Sequence, residues 1–268
     1  QKRINEFLNK KSEIINGFKE LNDLKGNIYF NKVSLTYNDT KIKALDNISF
    51  KVNYGESLGI LGKVGSGKTS ILDLIARVYD PNSGTIYIDN VELKNLNLNK
   101  LRSQIGYVPQ NPFLFSETIN ENIKFGKINS TLEEIKNASE KANVSIDIEN
   151  FSKKYDTIIG ERGLTLSGGQ IQRISLARAL ISNPKILLLD DCLSSVDIKT
   201  EKNILKNLKK FTNKKTTIII SHRISSIKHC DKIIVLKKGK IIEQGNHKSL
   251  NKNNSYYNKL FIKQNTEK

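Results

Sequence analysis

The run Gly62, Lys63, Val64, Gly65, Ser66, Gly67, Lys68, Thr69 satisfies the spacing G-x-x-x-x-G-K-[ST]. Each residue type has a physical task in such a run. Glycines let the backbone curl until successive N–H groups converge on one anion, and a helix that follows adds partial positive charge from its N-terminus. The Lys68 ammonium can then reach the outer phosphates of a nucleoside triphosphate. The Thr69 hydroxyl can ligate Mg2+, with Ser70 next to it in the first helical turn. A site of this kind needs an acid at the end of a second apolar strand, and Asp190, after Ile186-Leu187-Leu188-Leu189, fills that position with Asp191 directly behind it. A glycine-rich turn that matched by chance would not come with both a strand before it and that acid.

The elements that must position these groups are readable from periodicity. An apolar strand over 57–61 runs into the glycine-rich stretch, and 69–79 carries the apolar spacing of a helix, closed by Asp80-Pro81. Two further apolar strands, 186–189 and 217–220, end in the acids and in Ser221-His222. Residues 111–180 read as mostly helical, 132–142 and 170–181 most clearly, which makes them a helical insertion in an α/β core. Ahead of this, 28–33 and 48–52 look like strands with polar turns between, so two or three antiparallel strands open the domain. Ile4, Phe7, Leu8, Ile14, Ile15, Phe18 and Leu21 lie at near-helical spacing, so 3–21 is expected to form a short amphipathic helix. The polar, Asn/Lys-rich stretch at 251–268 reads as a tail.

Composition excludes several classes. A chain of 268 residues with 37% apolar residues can bury a real core. The net charge of +17 raises nucleic acid or an anionic membrane as a partner, yet only seven of the 44 basic residues are arginine. Lysine suits a solvated surface, whereas the rigid guanidinium fork is kept where geometry matters. The charge therefore reads as compositional bias, with no specific nucleic-acid partner expected. Cys192 and Cys230 form no C-x-x-C pair or disulfide framework, which fits a reducing compartment. Apolar runs stop far short of the roughly 20 residues that cross a bilayer. A chain without any methionine is what a piece of a longer protein would give.

Leu166, Ser167, Gly168, Gly169 and Gln170 open the second clear helix, 20 residues before Asp190. This pentapeptide resembles the signature motif of ATP-binding cassette (ABC) proteins, and it is far more specific than the two preceding motifs. In that family the signature grips the γ-phosphate of ATP held by the opposite subunit, so that two cassettes sandwich two nucleotides head to tail. Other positions then fall into register with family elements. Tyr37 resembles the aromatic residue that stacks on adenine, and Gln110 the Q-loop glutamine that contacts Mg2+ and senses a membrane partner. Ser194, Ser195, Val196 and Asp197 resemble the D-loop, and His222 the switch histidine. The resemblance implies an ATP hydrolase with Thr69, Gln110 and Asp190 around Mg2+ and with Asp191, His222 and Gln110 in catalytic positions. It also implies an α/β fold: a P-loop NTPase (RecA-like) core with an N-terminal antiparallel β-subdomain and an inserted α-helical subdomain at about 111–180. On this reading the cassette covers 27–250, residues 1–26 connect it to a transmembrane domain, and 251–268 form a C-terminal tail.

Two stretches, 113–123 after Gln110 and 157–163 before the signature, resemble exporter-type cassettes, the second matching the X-loop. An exporter cassette works at the cytoplasmic face of the membrane, with a second cassette and the transmembrane domain of the same full-length chain as partners. One departure matters. Strong hydrolases of this family carry Glu after the strand-end aspartate, and here the residue is Asp191. The two acids have similar reference pKa values, roughly 3.9 and 4.3, so basicity is no obstacle. Reach is, because a carboxylate withdrawn by about 1 Å can cost on the order of 10² in rate. The run 190–197 resembles the arm of heterodimeric exporters whose own site is degenerate and whose partner, a different subunit, supplies the catalytic Glu. The expectation is ATP binding with slow hydrolysis at this chain's own site. Two alternatives stand beside it: a soluble ABC ATPase acting on ribosomes or DNA, which would show two cassettes or a long coiled-coil insertion, and a non-hydrolytic ATP-dependent docking module.

Overall fold

Strands with one apolar face and strands apolar on both faces build two different sheets. The computed structural model describes Asn5 and residues 14–160, 163–252 and 255–266. Its strands are β1 (Ile28–Thr36), β2 (Lys43–Val52), β3 (Ser57–Gly62), β4 (Ser83–Ile88), β5 (Val91–Glu92), β6 (Ile105–Val108), β7 (Ile186–Asp190), β8 (Thr216–Ile220), β9 (Lys232–Lys237) and β10 (Lys240–Gly245). Its α-helices are α1 (Lys68–Ile75), α2 (Leu98–Ser103), α3 (Ile119–Lys124), α4 (Leu132–Lys141), α5 (Ser145–Glu149), α6 (Gly168–Ile181), α7 (Ile198–Phe211), α8 (Ile224–Ile227), α9 (His247–Leu250) and α10 (Tyr256–Thr266).

The first sheet has the order β2-β1-β4-β5 and is antiparallel. Alternation such as Ile28, Phe30 and, on β2, Phe50 and Val52 turns one face into the core. The second sheet has the order β10-β9-β3-β8-β7-β6, parallel except for the β9–β10 hairpin. Every residue of β7 is buried, as expected of a strand covered on both faces. Helices α3 to α6 pack with α7 and one face of β7 around a second core that includes Ile119, Ile135, Ile174, Leu187, Leu189 and Ile204. The α/β class, the antiparallel subdomain and the inserted helices all agree with the sequence reading.

Four local readings change. The antiparallel sheet is not finished before Ser57, because β4 and β5, which follow α1 in the chain, complete it. Ile86 and Ile88 pair with Phe30 and Ile28, a match visible only once the sheet is assembled. Helix α1 stops at Ile75 rather than running to 79, because Arg77 takes a left-handed conformation with φ 51°. There the Arg77 N–H donates to Leu74 O at 3.1 Å and the Val78 N–H to Asp73 O at 2.8 Å, which closes the helix C-terminus. The helix expected over 3–21 is absent from 14–21, and 6–13 lie outside the described residues. Lys19 instead bridges in parallel to Leu96, with the Lys19 N–H donating to Asn95 O at 2.9 Å and Asn97 N–H to Lys19 O at 2.8 Å. Gly17 allows that approach, since a Cβ there would stand 2.3 Å from Asn95 O. The stretch read as a polar tail contains α10, whose Tyr257 is fully buried.

Arg77 ties these pieces together. Its side chain is 2% exposed, and its guanidinium donates to Ile15 O at 2.7 Å, Leu96 O at 3.3 Å and the Asp80 carboxylate at 3.0 Å. One cation thus joins the end of α1 to the incoming segment 14–19 and to the turn before α2. Among the described residues no helix is long and apolar enough to cross a membrane. Cys192 and Cys230 are both free and buried. Replacing Arg77 strands Leu96 O in the interior and removes the cation from the part-buried bonds to Ile15 O and the Asp80 carboxylate. Arg77→Ala is therefore expected to lower the free energy of unfolding by roughly 2–4 kcal/mol. Urea denaturation monitored by circular dichroism checks this, and an unchanged midpoint would contradict the clamp.

Candidate functional site

Strand register places the chemistry. Asp190 of β7 pairs with Ile220 of β8, Ile60 of β3 pairs with the same Ile220, and Val108 of β6 pairs with Leu189. The residues just past these positions leave the sheet at one carboxyl edge, where ligands bind in open parallel sheets. Gly62 onward, Asp190-Asp191, Ser221-His222 and Gln110 are all delivered to that edge by register alone. Gln110 is exposed there and His222 half-buried.

The loop between β3 and α1 is shaped by its glycines. Gly67 has φ 96°, and a Cβ on it would stand 2.2 Å from Ala44 O, so no other residue fits. It is the N-cap of α1 but offers no side-chain hydrogen bond, which leaves the first-turn N–H groups unclaimed by a capping side chain. Gly65, with φ 75°, would meet nothing within 4 Å, so the loop is open above it. Lys63 and Val64 form an exposed rim, while the Ser66 hydroxyl is buried without a protein hydrogen-bond partner.

Charge is concentrated beneath this loop. The Lys68 ammonium is buried and donates to Gly62 O and Lys63 O, both at 2.9 Å. Burial pulls its pKa down, and the Asp190 and Asp191 carboxylates oppose that shift. The Thr69 hydroxyl donates to Asp190 Oδ2 at 2.8 Å, while burial above all raises the Asp190 pKa. Desolvation also raises the pKa of Asp73, whose carboxylate accepts from the Tyr107 hydroxyl at 3.2 Å. Thr69 and Asp190 thus present two hard oxygens side by side, the donor type Mg2+ takes when phosphates and waters complete its octahedron. The orphan Ser66 hydroxyl and the uncapped first turn suit a phosphate. The residues present therefore fit both groups.

Tyr37 follows β1 and lies beside the loop. Its hydroxyl is 2.8 Å from Ser70 Oγ and its ring stands edge-on to Tyr79, with centroids 5.1 Å apart. Asp191 is buried and, at φ 44°, left-handed, a conformation Asp tolerates better than most residues. Its N–H donates to Ile220 O at 2.9 Å, and its Oδ1 accepts a long 3.4 Å contact from the His222 N–H.

The remaining sequence candidates form a second unit. Ser167 caps α6 by accepting from the Gln170 N–H at 3.3 Å, while Gln170 Oε1 accepts from the Ser167 N–H at 3.0 Å, a reciprocal capping box. Gln170 Nε2 also donates to Asp147, and Leu166 packs against the helical core. Gly168 and Gly169 lie under the loop that holds Ser195. A Cβ on Gly169 would come within 3.0 Å of Ser195 O and one on Gly168 within 3.3 Å of Ser195 Cβ. Val196 is buried, and Asp197 caps α7 by accepting from the Thr200 N–H at 3.0 Å. Among the described residues no hydrogen bond joins this unit to Lys68 or Thr69.

Several supporting residues lie outside the sequence reading. Gln172 Nε2 donates to Ser194 Oγ at 3.1 Å, and its Oε1 accepts from the Ser195 N–H at 3.0 Å. Glu201, buried in α7, receives Arg223 Nη1 at 2.9 Å and the Ser226 hydroxyl. Arg223 also donates to Ser194 O at 2.8 Å and Val196 O at 3.2 Å. Asn122 and Arg178 hold the loop after Gln110, with Arg178 donating to Phe113 O and to Asn122, and Asn122 bridging Phe115 and Thr118. The rarity of arginine was the one signal that pointed to Arg178 and Arg223. Glu161 and Arg162 of the 157–163 stretch lie outside the described residues.

Comparison with known proteins gives consistent matches. The family model described as ABC transporter matches residues 45–194. A probable multidrug resistance ABC transporter ATP-binding/permease protein, YheI of Bacillus subtilis, is 44% identical over 264 residues, covering 98% of this chain and 45% of that relative. The multidrug resistance-like ATP-binding protein MdlA of Buchnera aphidicola is 43% identical over 97% of this chain and 45% of its own length. A solved structure of a bacterial Atm1-family ABC exporter with ATP bound superposes with a TM-score of 0.92 at 34% identity, over 98% of this chain and 47% of the other. The chain thus spans less than half the length of the relatives it matches.

The Gln172 amide is the tie between α6 and the loop over Ser194 and Ser195. Gln172→Ala removes two hydrogen bonds and is expected to speed amide exchange at Ser195 about fivefold to tenfold, with the α1 amides unaffected. Exchange followed by NMR checks this, and unchanged protection at Ser195 would contradict the tie.

Proposed function

The chain belongs to the ABC transporter family, and from that premise we propose that it is the nucleotide-binding cassette of an exporter, which binds MgATP at the sheet edge and pairs head to tail with a second cassette. The observation that carries this reading is the convergence of Lys68, Thr69 and Asp190 beneath an uncapped helix N-terminus. Lys68 and the backbone N–H groups of 63–69 hold the triphosphate, and Tyr37 supports the adenine. Mg2+, held by Thr69, Asp190 and Gln110, would neutralise charge on the outer phosphates. Asp191 orients the attacking water, and His222 meets the γ-phosphate from the neighbouring strand end. Ser167, Gly168 and Gly169 face the nucleotide of the other cassette, so ATP touches both cassettes only when they close. Closure by ATP is then a population shift: differential contacts in the closed state supply the driving free energy.

The partner portion spans the membrane, and this chain sits at its cytoplasmic face. Most support for that placement comes from the ATP-binding/permease relative and the exporter likeness. The same support disfavours a soluble ATPase acting on ribosomes or DNA. The +17 charge adds no specific nucleic-acid function.

Own-site hydrolysis is slow because Asp191 ends one methylene short of the position a glutamate would reach. The intact signature then serves a competent site completed by a different subunit that carries the glutamate. Phosphate release from ATP, measured for the chain and for Asp191→Glu, tests this. The variant is expected to turn over on the order of tenfold to a hundredfold faster. Equal, rapid rates would refute the slow site, and no hydrolysis in either would favour an ATP-dependent docking module.

A further inference from the structure

The C-terminal helix reaches the switch-histidine loop with a single side chain. Gln264 Nε2 donates to His222 O at 2.6 Å, and the Ile224 N–H donates to Gln264 Oε1 at 2.9 Å. One primary amide therefore closes a two-point bridge on the backbone that flanks His222, fixing the peptide after the histidine and the start of α8. A primary amide can both donate and accept here, whereas a carboxylate of the same shape offers acceptors alone.

The helix that carries Gln264 is firmly seated. Its Tyr257 is buried against Leu61, Ile224, Ile227 and Val235, with Leu260 and Phe261 packed on the same cluster. The Glu243 carboxylate accepts from the Tyr256 and Tyr257 N–H groups at the helix start, and Tyr257 OH lies 2.8 Å from His247 Nδ1. On the opposite side, Arg223 ties the same loop to Glu201 and to the carbonyls of Ser194 and Val196. The histidine backbone is thus gripped from two directions, by α7 through Arg223 and by α10 through Gln264.

We infer that Gln264 is a positioning residue for His222, so that the seating of α10 decides whether the histidine is aligned with the nucleotide's γ-phosphate. This rests on the reading of His222 given above. It turns the C-terminal helix, remote in sequence from the phosphate loop, into a control point for turnover rather than for nucleotide affinity.

The test uses the full 268-residue chain in the Asp191→Glu background, with Gln264→Ala and the isosteric Gln264→Glu, and exposed Ile262→Ala as a control on the same helix. Gln264→Ala is expected to speed amide exchange at Ile224 about tenfold without nucleotide, whereas Gln264→Glu, which keeps an acceptor for that N–H and loses only the donor to His222 O, should speed it less, with exchange at 63–69 unchanged in both variants. With MgATP they should lower kcat about fivefold to tenfold at unchanged KM, and Ile262→Ala should do neither. In a His222→Ala background, Gln264→Ala should cost nothing further, because it acts through the histidine. Unchanged exchange at Ile224 in Gln264→Ala, unchanged kcat in the two variants, or a full additional loss without His222 would each overturn the inference. If the parent with Gln264 intact hydrolyses no ATP, the functional reading fails, and exchange at Ile224 still decides whether the bridge exists.

Discussion

One ammonium sets the terms for this fold. Lys68 is buried next to Asp190 and Asp191, and a charge taken out of water is tolerated only if hydrogen bonds and opposite charge surround it. Those surroundings come from three separate strands. β3 and the loop after it supply the carbonyls of Gly62 and Lys63 and lead into α1, whose first residue is the lysine, β7 delivers the acids, and β8 supplies the Ile220 carbonyl that holds the Asp191 N–H. A slip of one residue in β7 would turn Asp190 to the other face of the sheet and leave Lys68 without compensation. The phosphate loop and the sheet register are therefore one constraint, and the apolar runs of β7 and β8 exist to hold it.

A second set of constraints is carried by arginine. Arg77, Arg102, Arg173, Arg178 and Arg223 each donate to at least two backbone carbonyls. Lysine, a flexible point charge without a rigid fork, fixes the geometry of such a tie less well. The contrast explains the composition: a surface saturated with lysine surrounds a few guanidinium struts at turns and loop ends. Arg77 braces the entry segment against α1, Arg178 braces the loop after Gln110, and Arg223 braces the loop after β8. The large net charge is thus separate from the chemistry of the site.

What the sequence made legible was local. The glycine loop and the strand-end acids each depend on residues within a few positions of one another, so spacing reveals them, while the pentapeptide 166–170 was legible through its family resemblance and its capping box only in the structure. The parts that escaped depend on distant partners. β4 is a short strand whose place follows from pairing with β1, and the segment 14–19 is extended because Asn95 and Arg77 claim its backbone, against its own helical periodicity. Nothing in the neighbourhood of Gln172, Glu201 or Gln264 marks them, since each matters through a loop more than 20 positions away. The tail read as merely polar contains α10 because Tyr257 and Phe261 find a core built from β9 and α8.

The buried ammonium is proposed to hold MgATP at this edge. Isothermal titration of MgATP into the chain and into Lys68→Ala measures it directly. Saturable, magnesium-dependent binding at one site per chain is expected, weakened at least a hundredfold by the substitution, about 2.7 kcal/mol. Equal affinity in the two proteins, or no binding in the first, would contradict it.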